Sequence, residues 1–377
     1  MAVPFSYERK AGGAAPIRLM VVDDSIVARS VFETMLAPLD DFRVVATAST
    51  ADQAFARLDE TPVDIVLLDL AMPGMDGLTA LPEIIRRGAG ARVLIVSASA
   101  AEGASACVRA LTLGAADTLE KPRAGAFGEP FRADLVEKLR RIGGEARPPA
   151  GVGPPAGAAP VPAVVHALSP RVVGPVSCVA IGASTGGLHA LSAFFRRLPD
   201  LCDAPILITQ HLPASFMPYF AAQMTDITGR PAEVARDGVA LRPGGILVAP
   251  GDGHIRLRAY GASVSVEIDR APAPSGCLPS VDPMFESVAA FYGKRAFAVV
   301  LTGMGRDGLI GARHIVDAGG EVAVQDRATS VVWGMPGSVA HSALAATIAP
   351  PEALAARLAE RVAQSITARR AHGAAWR

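Results

Sequence analysis

The stretch from Pro148 to Pro170 contains no charged residue and consists almost wholly of proline, glycine, alanine and valine. It has neither the helical nor the alternating period of a packed element, and its prolines favour an extended, semi-rigid conformation. A chain of 377 residues is also longer than one typical domain. We therefore predict a flexible N-terminus at 1–15, a first domain at 16–145, a linker at 146–175 and a second domain at 176–370.

The overall composition excludes several classes of protein. Half of the residues are hydrophobic and 19% are charged, a balance typical of ordered globular domains. The formal net charge is zero and the pI is about 7.1, so no basic field exists to attract nucleic acid. No apolar run approaches the roughly 18 residues of a membrane-spanning helix, and Met1 to Lys10 lacks a signal-peptide core. We expect a cytoplasmic protein without nucleic-acid binding or direct membrane insertion.

Short apolar runs alternate with helical patterns in both domains. This rhythm is typical of a parallel sheet with helices on its faces. The runs are 18–22, 43–48, 65–68 and 93–97 in the first domain, and 178–181, 205–210, 245–249, 296–301 and 322–325 in the second. We therefore predict the α/β class for both domains.

Carboxylates follow the strands of the first domain. Asp23 and Asp24 end the first strand and Asp69 ends the third, and the carboxyl ends of parallel strands gather at one edge of the sheet. Neighbouring carboxylates repel one another unless a cation joins them, and hard oxygen ligands suit Mg²⁺. Ser97 ends the fourth strand and Lys121 follows the fifth. The set predicts a receptacle for a phosphoryl group, although any single aspartate here is compatible with an ordinary helix cap.

These motifs, in this order, closely resemble the receiver domain of two-component response regulators. They are Asp23-Asp24, Asp69 followed by MPGMDG, Ser97-Ala98 and Lys121-Pro122. The resemblance implies a flavodoxin-like fold with a parallel five-stranded sheet.

The same resemblance implies roles for individual residues. Asp69 is then the phosphoacceptor, and Ser97 and Lys121 bind the phosphoryl group. The implied ligands of Mg²⁺ are Asp23, Asp24, Asp69 and the Ala71 carbonyl. Receivers often carry an aromatic switch residue three positions before the lysine, where this chain has Thr118.

A second candidate site begins at GASTGG, residues 182–187, which follows a predicted strand and opens a helical pattern at Leu188. This is the strand–turn–helix context of a G-x-S-x-G nucleophile elbow, whose small residues permit a tight turn. The segment has neither GxGxxG nor the Lys-Ser/Thr ending of a P-loop. An ordinary turn with Ser184 or Thr185 as helix cap is the alternative interpretation.

A serine nucleophile needs a base, because its hydroxyl is a weak nucleophile at neutral pH. His211 is the strongest candidate, since the apolar strand 205–209 delivers it to the carboxyl edge of the sheet. His254 in APGDGH is a weaker second candidate. His189 and His314, on helices, are expected at the surface.

The base in turn needs a carboxylate that orients it and stabilises the imidazolium. Asp307 follows the apolar strand 297–301 within TGMGRDG, again at a carboxyl edge. Asp252 and Asp282 are alternatives with the more ordinary interpretations of turn residue and helix cap. The chain order Ser, His, Asp differs from the Ser, Asp, His order of α/β-hydrolases, which argues against a lipase-type fold.

Motifs along the second domain resemble the catalytic domain of the chemotaxis protein-glutamate methylesterases, the CheB family. They are IGASTGG, QHLP, LRPGGILVAPGDGH, PSVDPMF, LTGMGRDG and ATSVVWGMPG. The resemblance implies a Rossmann-like α/β methylesterase domain with Ser184 as nucleophile, His211 as base and Asp307 as orienter. Thr185 and Met304 are the implied site-shaping neighbours.

The resemblance implies a phosphorylation-regulated serine hydrolase. It would demethylate glutamate γ-methyl esters on methyl-accepting chemotaxis receptors, release methanol and deamidate receptor glutamines. The implied partners are a chemotaxis histidine kinase and the receptors, with no cofactor in the esterase site. Two alternatives are a DNA-binding response regulator and a scaffold with a dead esterase domain. The large α/β output without net positive charge argues against the first, and the intact Ser184, His211 and Asp307 set argues against the second.

Overall fold

The computed structural model describes residues 15–98, 101–122, 127–144, 175–198, 203–261 and 263–374, without the side chains of 98, 101, 102, 260 and 364–374. The predicted flexible N-terminus and the predicted linker lie almost entirely outside these residues. The domain boundaries therefore stay predictions. None of the described helices is both long and apolar enough to cross a membrane.

The first domain alternates strands and helices. Its first three helices begin where the sequence supplies a capping oxygen, because Ser25, Thr50 and Asp76 accept hydrogen bonds from backbone N–H groups of the first turn. The elements are β1 (Ile17–Val22), α1 (Ile26–Leu36), β2 (Phe42–Ala48), α2 (Ala51–Glu60), β3 (Ile65–Leu68), α3 (Gly77–Arg87), β4 (Arg92–Ala98), α4 (Ala101–Leu113), β5 (Asp117–Lys121) and α5 (Glu129–Gly143).

The five strands of the first domain form one parallel sheet in the order β2-β1-β3-β4-β5. Its central strand, β3, reads IVLL and is buried at every position, as expected for a parallel strand covered on both faces. This strand order is the flavodoxin-like one. The fold predicted for the first domain is confirmed.

The second domain continues the alternation with more strands and one antiparallel insertion. Its elements are β6 (Cys178–Ala183), α6 (Gly187–Phe195), β7 (Ile206–Gln210), α7 (Met217–Thr228), β8 (Ala232–Val234), β9 (Ile246–Val248), β10 (His254–Tyr260), β11 (Ser263–Asp269), α8 (Val281–Tyr292), β12 (Ala296–Val300), α9 (Leu309–Asp317), β13 (Glu321–Gln325), α10 (Met335–His341), β14 (Thr347–Ala349) and α11 (Pro351–Ala374).

Seven of these strands form a parallel sheet in the order β14-β13-β12-β6-β7-β9-β8, while β10 and β11 form a separate hairpin. The predicted Rossmann-like α/β domain is confirmed, and all five predicted apolar runs are strands of this sheet. The edge strands β8 and β14 and the hairpin were not predicted. Each edge strand has only three residues, too few to establish an alternating pattern.

Strands β6 and β12 are parallel, hydrogen-bonded neighbours. The strands that follow β6 are added on one side of it, whereas β12 and the strands that follow β12 are added on the other side. Val179 and Ile181 of β6 pack with α6, α7 and α11 on one face, whereas Cys178 and Ala180 pack with α8 and α9 on the other. In doubly wound sheets the crevice outside the carboxyl ends of two such strands is where ligands bind. The fold therefore predicts a site at the ends of β6 and β12.

Helices α8 and α9 approach closely at Gly311. A Cβ atom there would lie 2.5 Å from the Cβ of Phe285 and 2.9 Å from the Asp282 carbonyl oxygen. Phe285 is fully buried, so moving it would disturb the close packing of its neighbours. A glycine at this position permits the contact between the two helices.

We expect Gly311→Ala to destabilise the second domain by about 1 to 3 kcal/mol, because it overpacks this contact. Helix propensity alone predicts the opposite sign, a gain of up to about 1 kcal/mol. Thermal and urea unfolding of the full chain measure the effect. The control is Arg313→Ala on the exposed side of the same helix, expected to stay within about 0.5 kcal/mol. A stabilised Gly311→Ala protein would contradict the packing argument.

Candidate active sites

Ser184 lies in the tight turn between β6 and α6. Gly186 has a φ of 77°, a conformation that glycine adopts without steric cost. The turn is fixed by three hydrogen bonds: the Ser184 N–H donates to the Thr302 carbonyl at 3.0 Å, and the Ser184 carbonyl accepts from the Gly187 N–H at 2.7 Å and from Gln210 Nε2 at 2.9 Å. The predicted elbow is present, with Ser184 at the carboxyl end of the central strand.

His211 follows β7 directly, as predicted. Its backbone N–H donates to the Ala183 carbonyl at 3.2 Å, which ties it to the residue before Ser184. Its Nε2 lies 2.8 Å from Asp307 Oδ2. An ionised carboxylate only accepts hydrogen bonds, so Nε2 carries the hydrogen and Nδ1 is the nitrogen left with a lone pair.

Asp307 is almost completely buried, with 1% of its surface exposed. Besides His211, it accepts hydrogen bonds from Ser280 Oγ at 2.6 Å and the Val281 N–H at 2.7 Å, at the start of α8. Burial alone would raise the pKa of Asp307, but the hydrogen bonds from His211, Ser280 and Val281 outweigh it and hold the pKa below the usual value. Asp307 is therefore an anion that accepts a hydrogen bond from the imidazole of His211.

The two alternative carboxylates have other surroundings. Asp282 accepts the Gly311 N–H at 2.8 Å. Burial, together with the charge of Asp307, raises the pKa of Asp282 to about 6. Asp252 is exposed and pairs with Arg270 at 3.3 Å. Neither is bonded to His211, which leaves Asp307 as its carboxylate partner among the residues that the structure describes.

The other histidines are placed differently from His211. His254, the second candidate base, has 1% of its surface exposed and uses both ring nitrogens in hydrogen bonds to backbone groups, so it has no lone pair to offer a substrate. His314 is exposed, as expected. His189 is exposed too, but its Nδ1 lies 3.3 Å from the Thr112 carbonyl of the first domain.

The predicted site-shaping residues flank Ser184. Thr302 Oγ donates to the Thr185 carbonyl at 2.9 Å. In the described part of the chain no acceptor occupies the N–H of Thr185. Met304 is 39% exposed and follows Gly303, where a Cβ atom would lie 2.7 Å from the Cβ of Ser184. The glycine therefore allows the Met304 loop to approach the serine.

A cavity of ≈ 220 Å³ opens over Ser184 and His211, and both domains line it. The second domain contributes ten residues, among them Gln210, Cys277 and Leu278. Burial raises the pKa of Cys277 to about 11, which makes it a neutral thiol. The residues from the first domain are Leu111, Ala116, Asp117, Lys138 and Arg141.

The first domain also bonds directly to the serine turn. The Ala116 carbonyl accepts the Gly186 N–H at 2.8 Å. The Asp117 carboxylate accepts from Thr185 Oγ1 at 3.2 Å and pairs with Lys138 at 3.0 Å. These contacts place the amino end of β5 against the residues that follow Ser184.

The carboxylates of the first domain meet at the carboxyl edge of its sheet, as predicted. Lys121 Nζ lies 2.5 Å from Asp69 Oδ2 and 2.7 Å from Asp23 Oδ2. Burial raises the pKa of Asp23, although the hydrogen bond from Lys121 opposes that shift. Burial lowers the pKa of Lys121, but its hydrogen bonds and ion pairs with Asp23 and Asp69 outweigh this effect and raise the pKa overall.

The remaining predicted residues surround this pair. Asp24 is exposed, and its carboxylate lies within 4.8 Å of those of Asp23 and Asp69. The Ala71 N–H donates to Asp69 Oδ1 at 3.2 Å, so Ala71 is adjacent to the carboxylate. Ser97 is 7% exposed at the end of β4.

Three side chains that hold the groups around Ser184 and His211 were not predicted from the sequence. Gln210 and Thr302 hold the carbonyls of Ser184 and Thr185, and Ser280 holds Asp307. Ser280 carries a signal, because a serine immediately before a helical pattern marks a helix start. The other two are polar residues at the ends of buried strands, where the pattern gives no partner.

Two family models match the chain. The CheB methylesterase model matches residues 179–358, and the response regulator receiver domain model matches residues 19–126. They divide the chain between the two sheets described above. The matched segments contain the Ser184, His211 and Asp307 set and the Asp69 pocket, respectively.

Relatives match nearly the full length. A protein-glutamate methylesterase/protein-glutamine glutaminase 2 of Caulobacter vibrioides is 42% identical, over 92% of this chain and 99% of the relative. A protein-glutamate methylesterase/protein-glutamine glutaminase 1 of Rhodospirillum rubrum is 40% identical, over 90% and 94%. The crystal structure of the Thermotoga maritima CheB methylesterase catalytic domain is 34% identical, over 49% of this chain and 98% of that chain, with a TM-score of 0.48. The chain belongs to the protein-glutamate methylesterase/protein-glutamine glutaminase family.

Proposed function

We propose that the protein is a protein-glutamate methylesterase that hydrolyses glutamate γ-methyl esters on methyl-accepting chemotaxis receptors. The observation that carries the proposal is the His211–Asp307 pair, 2.8 Å apart, with His211 lining the same cavity as Ser184. A serine, an imidazole and a buried carboxylate in this relation are the parts of a serine hydrolase. The names of the full-length relatives support the choice of ester.

In the proposed reaction, Ser184 Oγ attacks the ester carbonyl and His211 Nδ1 takes its proton. The protonated imidazole then donates that proton to the departing methoxide, so methanol leaves and a glutamyl–serine ester remains. Water repeats the sequence, with His211 again as base, and releases the glutamate carboxylate and the free serine. Asp307 stabilises the imidazolium in both halves.

The developing oxyanion needs hydrogen-bond donors beside Ser184. The Thr185 N–H suits this role, because Gln210 and Thr302 hold the neighbouring carbonyls. The loop at Met304, brought close by Gly303, is the proposed source of a second donor. Loss of one such donor typically costs on the order of 3 kcal/mol of transition-state stabilisation.

The same chemistry deamidates glutamine. The acyl–serine intermediate is identical, and ammonia replaces methanol as the leaving group, with His211 again supplying the proton. The relatives' names include the glutaminase activity. We therefore include specific receptor glutamines among the proposed substrates.

For the first domain we propose phosphorylation of Asp69 by a chemotaxis histidine kinase. Asp23, Asp24 and Asp69 offer three carboxylate oxygens within 4.8 Å of one another, and Lys121 forms ion pairs with Asp23 and Asp69. This donor set fits Mg²⁺, with the Ala71 carbonyl as a further ligand. When bound, Mg²⁺ would neutralise charge so that an anionic carboxylate can attack an anionic phosphorus. Ser97 and Lys121 would hold the transferred phosphoryl oxygens.

We also propose that the first domain inhibits the esterase until Asp69 is phosphorylated. Ala116 and Asp117 occupy the Gly186 N–H and the Thr185 hydroxyl, beside the nucleophile. A receptor helix must displace these contacts to reach Ser184. Strand β5 has Asp117 at one end and Lys121 at the other, so it connects the interface with the phosphorylation pocket. Thr118 lies in this strand, and the proposed relay does not need an aromatic switch.

We expect Ser184→Ala and His211→Ala to abolish methanol release from methylated receptor membranes, since loss of the nucleophile or base costs on the order of a million-fold in kcat. The control is His314→Ala, an exposed histidine on α9, which should keep the wild-type rate. Methanol is measured by gas chromatography after acetyl phosphate and Mg²⁺ are added. Equal rates for Ser184→Ala and wild type would refute the catalytic assignment.

We expect Asp69→Ala to remove the increase in rate that acetyl phosphate and Mg²⁺ produce, while the basal rate stays unchanged because the esterase residues are intact. The exposed Asp40→Ala is the matched control. A chelator should have the same effect on wild type as Asp69→Ala. Activation that persists in Asp69→Ala would exclude this residue as the phosphoacceptor.

We expect Asp117→Ala to raise the rate of the unphosphorylated protein about fivefold, because roughly 1 kcal/mol of interdomain hydrogen bonding is lost. Glu120→Ala on the same strand is the control, since Glu120 is exposed and outside the cavity lining. Initial rates of methanol release without phosphodonor measure the difference. An unchanged basal rate in Asp117→Ala would argue against inhibition through this contact.

A further inference from the structure

We propose that His254 is a positioning residue for the esterase site, acting through Ser280 on Asp307. The inference rests on the proposed serine hydrolase function and adds to it a residue that lies outside the cavity lining. His254 begins β10, the first strand of the hairpin that packs against α8. It does not touch the reacting atoms.

The imidazole of His254 is bonded on both sides to backbone groups. Its Nε2 lies 2.9 Å from the Ala271 carbonyl, just after β11, and its Nδ1 accepts the Ser280 N–H at 2.7 Å. A carbonyl only accepts and an amide N–H only donates. The ring is therefore in the Nε2–H tautomer, with its Nδ1 lone pair committed to Ser280.

Ser280 links His254 to the proposed catalytic carboxylate of Asp307 through hydrogen bonds. It is fully buried and directly precedes α8. Its Oγ donates to Asp307 Oδ1 at 2.6 Å, and the next N–H, from Val281, donates to Asp307 Oδ2 at 2.7 Å. The position of the Ser280 backbone therefore sets two donors on the anion that orients His211.

A planar imidazole suits this role because it bridges two elements at a fixed separation. Without an acceptor at Nδ1, the buried Ser280 N–H would be left unsatisfied, a loss that structures relieve by shifting or by admitting water. Either response moves the first turn of α8 relative to Asp307. Small misplacements of a catalytic group cost up to about a hundredfold in rate.

The test compares His254→Leu, His254→Asn and Ser280→Ala in the full chain, with Ser287→Ala as control. Asparagine offers its Oδ1 near the position of Nδ1, so it can still accept the Ser280 N–H. Ser287 lies on α8 with its hydroxyl bonded to the Met284 carbonyl, not to Asp307. The first readout is the downfield proton NMR signal of the His211 Nε2–H, which needs no substrate. The second is methanol release, analysed as separate kcat and KM values.

We expect His254→Leu and Ser280→Ala to shift and broaden the His211 signal and to lower kcat at least tenfold with KM nearly unchanged. His254→Asn should restore both, and Ser287→Ala should match wild type. If His254→Leu does not fold, Ser280→Ala and His254→Asn carry the comparison. A His211 signal unchanged in every variant that folds would overturn the positioning role. If the wild-type protein showed the His211 signal but released no methanol, the proposed function would be refuted and the NMR test of His254 would stay valid.

Discussion

The buried carboxylate of Asp307 at the amino end of α8 is the interaction on which the esterase site depends. A helix amino end presents unpaired N–H groups and partial positive charge, and here those groups bind a side chain of the protein itself. The hydrogen bonds from His211, Ser280 and the Val281 N–H together hold the pKa of Asp307 below its usual value despite its burial, and the anion fixes the tautomer of His211. The close approach of α8 follows from glycine at two points, since Gly182 and Gly308 both face Val281.

Both domains place their candidate site at the carboxyl edge of a parallel sheet. In each parallel sheet the candidate reactive side chains follow strands at the carboxyl edge: Asp69 after β3 in the first, Ser184 and Asp307 after β6 and β12 in the second. Regular packing of the sheets stabilises the framework, whereas the turns beyond the strands carry the reactive groups. One type of fold thus carries two candidate sites of different chemistry.

The fold class was predictable from the sequence, and so was the position of the candidate reactive residues at the carboxyl edges of the sheets, because each leaves a local mark. Buried parallel strands read as short apolar runs, and Ser184, His211, Asp307 and Asp69 directly follow such runs or lie shortly beyond them. The supporting residues were not predictable, because their roles depend on distant partners: His254 meets Ser280 only after the hairpin packs on α8. The misreading of His254 as a possible base has the same origin, since sequence shows a histidine near a strand but not that both its nitrogens are engaged.

If the first domain inhibits the esterase as proposed, the contact of Ala116 and Asp117 with the serine turn determines how that inhibition depends on concentration. These residues belong to the same chain as Ser184, so their effective concentration at the site is set by the tether and does not fall on dilution. A receptor segment free in solution competes against this internal ligand at a disadvantage. If receptors were clustered, their local concentration would rise and the competition would shift towards the substrate. The interdomain contact would thereby favour turnover where receptors are densely clustered.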